Sequence, residues 1–137
     1  LPSTEVLAGD KLPRKEIQTL LSEGIIDSDE KVEYFYSAGL LSILEDGNLL
    51  TDRRVISYFK NDADEIEIYE LFFPDIRNFE LIQQGSYLSD SIYQVNGYGE
   101  DNWLIIYLST EAGGDQRFID ALQQKLNNIQ NPIEEAG

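Results

Sequence analysis

The chain of 137 residues contains no cysteine, no histidine and no methionine, and only 10 Lys and Arg stand against 26 Asp and Glu. Without cysteine there is no disulfide, no thiolate nucleophile and no thiolate metal ligand, and the redox compartment is left open. Without histidine the commonest general base and the commonest metal ligand are both missing. Without methionine the sequence does not begin at a native initiator, which leaves room for a leader, an anchor or another segment ahead of Leu1. The shortage of basic residues gives a net charge of −16, a surface that repels phosphates. Nucleic acid is therefore not expected as a partner, and anionic lipid is disfavoured. Long apolar runs are missing too. Ala38–Leu44 is the longest nearly apolar stretch, far below the roughly 20 residues of a membrane helix. The chain as given reads as soluble. Its compartment is open, and membrane attachment or export would depend on a segment outside it.

What is present is the material of one folded domain. The hydrophobic share is 42%, too high for a disordered chain despite the charge. Leu1–Leu12 has no clear period and reads as a tail or linker. Pro13 suits a first helical turn, Ile17, Leu20 and Leu21 form one apolar stripe, and Gly24 is a C-cap, so Pro13–Glu23 is predicted to be a short helix. Strands are predicted over 32–37, 48–51, 55–60, 65–72, 77–83, 91–96 and 103–109, separated by turn-forming residues such as Glu45-Asp46-Gly47-Asn48 and Pro74-Asp75. In 103–109 both faces are apolar, which predicts cover on both sides. A closing helix over 115–128 would supply it, with Phe118, Leu122, Leu126 and Ile129 on one face and Asn131-Pro132 as the stop.

The stretch that organises this series is Gly47–Tyr58, with two short β-prone runs joined at Thr51-Asp52, whose side chains can bond nearby backbone groups at a bend. A Gly, an apolar pair, Thr, a polar residue and then Arg-Arg-Val-Ile-Ser-Tyr resembles the strand 2 to strand 3 hairpin of the pleckstrin-homology-like superfamily, in its bacterial and GRAM-like branches. The resemblance covers about 31–130 and implies a mostly β roll of about seven strands capped by a C-terminal helix. The N-terminal helix is extra to it. Residues 1–30 are then a tail with a short helix, 31–130 the domain and 131–137 a C-terminal tail. One departure stands out: the Trp that eukaryotic pleckstrin-homology domains usually carry in the final helix is absent, and the sole Trp is Trp103 in the preceding strand. An SH3-like barrel or a cystatin-like α+β fold is the alternative.

The superfamily's best-known ligand is a phosphoinositide headgroup, which needs several converging Lys and Arg. No Lys or Arg occurs between Lys31 and Arg53, and Arg53 and Arg54 alternate faces of a strand, so they are expected to pair with carboxylates instead. Calcium-loop spacing fails at Asp62 and at Asp27, where the fifth positions are Ile66 and Lys31. No metal or cofactor is expected, nor is catalysis: the remaining nucleophiles have no His to activate them. Aromatic residues are plentiful, with Tyr87, Tyr93, Tyr98 and Trp103 around the strand over 91–96, and they either pack beneath the loops or form a protein-contact surface. The sequence thus points to a non-catalytic interaction module that binds a protein partner or itself. A lipid-binding membrane adaptor is the alternative, and a carboxylate-dependent hydrolase a third. Self-association through apolar contacts, strengthened by salt, is the favoured mode at this stage.

Overall fold

The bend at Thr51-Asp52 closes as its residue types suggest. The Thr51 hydroxyl accepts from the backbone N–H groups of Arg53 and Arg54 at 3.1 and 3.0 Å, and Asp52 accepts from the Lys31 N–H at 3.0 Å. In the computed structural model, which describes residues 1–132, eight strands and two α-helices occur among the described residues. They run β1 (Leu7–Ala8), α1 (Arg14–Ser22), β2 (Val32–Tyr36), β3 (Asp46–Thr51), β4 (Arg54–Lys60), β5 (Ile66–Phe72), β6 (Ile76–Gln83), β7 (Ser91–Gly97), β8 (Trp103–Leu108) and α2 (Gly114–Gln130). The first five strands form one antiparallel sheet in sequence order, and β6, β7 and β8 form a second. All seven predicted strands are present, and both helices fall within two residues of their predicted limits. Of the predicted C-terminal tail, residues 133–137 lie outside the described residues.

The segment read as a tail is part of the fold. Leu7 and Ala8 pair with Phe35 and Tyr34, and Val6 and Leu12 are buried. A two-residue strand has no periodicity to read. Its pairing is decided by the distant β2 edge.

Alternation along the first sheet sends side chains into two separate cores. Leu50, Val55 and Leu71 face the second sheet and α2, where they meet Val95, Ile106, Phe118 and Leu122. Leu49, Ile56 and Tyr58 face the other way and are covered by Leu20 of α1 with Ile25 and Ile26 behind it. The strands buried on both faces are therefore β3 and β4, and the helix extra to the resemblance is what covers the second face. Burying Leu20 completely contributes about 1.5–3 kcal/mol.

Gly47, the first residue of the recognisable pattern, sits opposite Tyr58 across the β3–β4 ladder. A Cβ there would lie 2.3 Å from the Tyr58 ring. The ring lies flat over the glycine, and its hydroxyl donates to the Ile43 carbonyl at 2.7 Å. That close approach is the physical content of the Gly…Tyr spacing.

Three polar contacts tie the layers together. Asn48, buried, donates to the Tyr36 carbonyl at 3.2 Å and accepts from the Tyr107 N–H at 3.0 Å, which pins β8 against the first sheet. Ser91 donates to the buried Asp115 at 2.8 Å, fixing the start of α2 on β7. Lys125 reaches Glu33 at 2.8 Å near the other end of that helix.

Candidate functional site

The double arginine is an internal clasp. Arg54, nearly fully buried, donates from Nε and Nη2 to the two Glu30 carboxylate oxygens at 2.8 and 2.6 Å, and its Nη1 pairs with Glu70. Thr51 donates to the same Glu30 at 2.6 Å. Burial alone raises the Glu30 carboxyl, but the hydrogen bonds from Arg54, Thr51 and the Asp27 N–H outweigh it and hold it down at about 2. Arg54 is pushed up by the same Glu30 contact. Arg53, half exposed, pairs with Asp29 at 2.8 Å. Both arginines pair with carboxylates, as their spacing predicts.

The four aromatic residues singled out in the sequence do not form one cluster. Tyr93 is a core residue, edge-on to Phe79 at 6.3 Å between ring centres, and so is corrected from contact residue to packing residue. Tyr87, 91% exposed, precedes β7, whereas Tyr98 and Trp103 follow it at the other end. A seven-residue strand of about 3.3 Å per residue separates them.

The structure assembles a different set around Trp103. In β8 the side chains of Leu104, Ile106 and Leu108 point into the core, but the opposite face is not covered. The predicted two-sided cover of this strand is thus overturned: α2 shields one face only, and Trp103 and Tyr107 remain 50% and 46% exposed. Beside them, lining the same surface, is the first sheet. Phe59 of β4 and Tyr69 of β5 lie there, stacked at 6.0 Å and 9° between ring planes. The result is an open groove of about 540 Å³ lined by Ser57, Phe59, Tyr69, Trp103, Ile105 and Tyr107, with Asp101 at its end. It continues past Tyr107 into a smaller cleft of about 310 Å³ bordered by Asp46, Asn48 and Asp90. No Lys or Arg lines either part. The signal in the sequence was a strand apolar on both faces with a single helix to cover it.

A third cleft, of about 590 Å³, lies beneath the loop carrying Tyr87 and Leu88. Its polar centre is Tyr36, whose hydroxyl donates to both oxygens of Asp90 at 3.0 and 3.1 Å. Burial and the neighbouring Asp90 push the Tyr36 hydroxyl well above its ordinary value, so it is held protonated. Burial likewise raises Asp90, with the Tyr36 hydrogen bond opposing. A protonated tyrosine tied to a carboxylate anchors the loop and has no activated nucleophile beside it. Among the described residues no group of three or more acidic side chains is placed to hold a metal ion, and no helix is long and apolar enough to cross a membrane.

Element order, the two antiparallel sheets and the closing helix define a pleckstrin-homology-like fold, as the Gly47–Tyr58 hairpin implied. Two solved bacterial structures share it. A DUF1696 family protein with a pleckstrin-homology domain from Shewanella loihica PV-4 superposes with a TM-score of 0.55 at 17% identity, over 90% of this chain and 94% of that one. A pleckstrin homology domain from Shewanella amazonensis SB2B gives a TM-score of 0.57, also at 17% identity, over 85% and 90%. No family model and no curated protein matches the sequence.

Proposed function

We propose that this chain is a non-catalytic interaction module that binds another protein through the groove beside β8. The observation that carries this reading is the exposed aromatic set Phe59, Tyr69, Trp103 and Tyr107, each 41–50% accessible around one concave surface. Tyr and Trp bury large areas at low entropic cost and dominate the energy of protein contacts. Enclosing them would remove apolar surface from water, which favours association. The carboxylates in the groove and the net charge of −16 favour a basic partner over a second copy. No phosphoinositide site is part of this reading, since Arg53 and Arg54 are already engaged.

The test is photo-crosslinking in the source cells with a photoreactive residue at position 103, and at the exposed position 116 on α2 as a control. A discrete adduct from position 103, identified and then reconstituted with purified protein, supports the reading. Equal labelling from both positions, or none, overturns it.

A second reading has one observation behind it. Leu40 and Leu41 on the β2–β3 loop and Tyr87 and Leu88 on the β6–β7 loop are 78–91% exposed, and the two loops adjoin across the third cleft. Loop tips of this kind can enter a membrane interface, as in the lipid-adaptor alternative. Asp90 and Glu111 beside them oppose an anionic one.

A further inference from the structure

The groove runs along an unpaired strand edge. Strand β8 is the last of its sheet, with β7 on one side only. The Tyr107 N–H points away from β7 and is taken by the Asn48 side chain. Backbone direction alternates along an antiparallel strand, so Trp103 and Ile105 present their N–H and C=O groups to the same outer side. Nothing equivalent to Asn48 reaches them: no backbone or side-chain partner from outside the sheet bonds to either residue among the described residues. The edge is thus capped at Tyr107 and open from Trp103 to Ile105. Opposite the edge the groove is lined by the first sheet, where Phe59 and Tyr69 stack.

Resting on the partner-binding reading above, we propose that this edge accepts an extended segment of a different protein as a ninth strand, with apolar side chains alternating with Lys or Arg. Main-chain bonds to Trp103 and Ile105 would supply the pairing, and alternate side chains would enter the pocket between Tyr69 and Trp103. The opposite row of side chains meets the acidic border, where Asp101 closes one end and Asp46 and Asp90 the other. Charge decides the occupant. A second copy brings the same −16 and the same carboxylates to the interface, whereas a basic segment neutralises them. The groove is long enough for a few residues only, because Asn48 blocks the edge beyond Tyr107.

The experiment uses the whole chain and two synthetic probes: a seven-residue peptide alternating lysine with valine, and the same peptide N-methylated on alternate residues so that it cannot pair. Amide NMR shifts locate the site, and emission from Trp103, the only tryptophan, follows occupancy. The plain peptide is expected to shift the amides of Trp103 and Ile105 along with Phe59 and Tyr69. Methylation is expected to weaken binding by about tenfold or more, the worth of one or two lost backbone bonds. Ile105→Pro removes an outward N–H, which edge strands tolerate, and should weaken the plain peptide to a similar degree. Binding that ignores both methylation and Ile105→Pro, or shifts centred on the Tyr87 loop, overturns strand addition while leaving partner binding intact. Absence of any shift at β8 with either peptide also overturns it, and the crosslink from position 103 then decides separately whether a partner uses the groove in another way.

Discussion

Arg54 grips Glu30 through two parallel hydrogen bonds, 2.8 and 2.6 Å long, across a gap of 24 residues. The contact ties the β4 start to the connector that follows α1, beneath the hairpin bend. Both partners are buried, so removing Arg54 strands the Glu30 charge, whereas removing Glu30 leaves Arg54 its contact with Glu70.

Arg54→Ala should therefore cost about 3–5 kcal/mol, the penalty for leaving Glu30 as an uncompensated buried charge, and Glu30→Ala less, because Glu70 still faces Arg54. Replacing Glu30 and Arg54 together with apolar residues of similar size should cost much less. Urea unfolding of the two single variants and the double variant measures both. Equal losses in all three would show that the contact is not the coupled unit described.

The same carboxylate sets an acid limit. Its folded value of about 2 lies below the ordinary 4.5, so its stabilising effect is complete above 4.5 and is lost as pH falls towards 2. The span corresponds to roughly 3 kcal/mol at most. Unfolding followed from neutral pH down to about 2 should show this loss in the wild type and a shallower one in Glu30→Gln. Parallel slopes would contradict the assignment.

Much of the fold was legible because its signals were local. The Gly47…Tyr58 spacing is a single cross-strand contact, and the α2 stripe of Phe118, Leu122 and Leu126 is a periodicity within one helix. What failed was decided at a distance. Strand β1 exists because of the β2 edge, and the second face of β8 is open because α2 packs on the other face only, not because Trp103 and Tyr107 are polar. Of the candidate contact residues, Trp103 lies in the groove and Tyr93 is in the core, a difference of face that alternation could show only once the register was known. Phe59, Tyr69 and Tyr107 were missed because the β4–β5 pair and the distant β8 bring them together.

The N-terminal region should be inseparable from the roll. A chain starting at Lys31 would lose β1 and α1 and expose Leu49, Ile56 and Tyr58. It is expected to aggregate or to show no cooperative melting, checked by circular dichroism and light scattering. Within the whole chain, Leu20→Ala and Leu122→Ala should each cost about 2–5 kcal/mol, one from each core. A soluble, cooperatively folded 31–132 fragment would contradict the two-core description.

Phosphoinositide vesicles should not retain the protein at physiological salt. Cosedimentation checks this, with neutral phosphatidylcholine vesicles alongside. Binding to the phosphoinositide vesicles that is lost in Arg53→Ala would overturn the exclusion. Binding to the neutral ones that is lost in Leu41→Asp or Leu88→Asp would favour the loop-tip reading.

The central claim is that the corner of Phe59, Tyr69, Trp103 and Tyr107 is a contact surface for a basic protein. Its most direct measurement is calorimetric titration of the crosslinked partner into wild type and Trp103→Ala at low and high salt. Wild type should bind more weakly at high salt, as expected for an acidic surface meeting a basic one. Trp103→Ala should lose about 2 kcal/mol, roughly thirtyfold, if Trp103 is a central anchor. Equal affinity of the two proteins, or a complex that tightens with salt, would contradict the account.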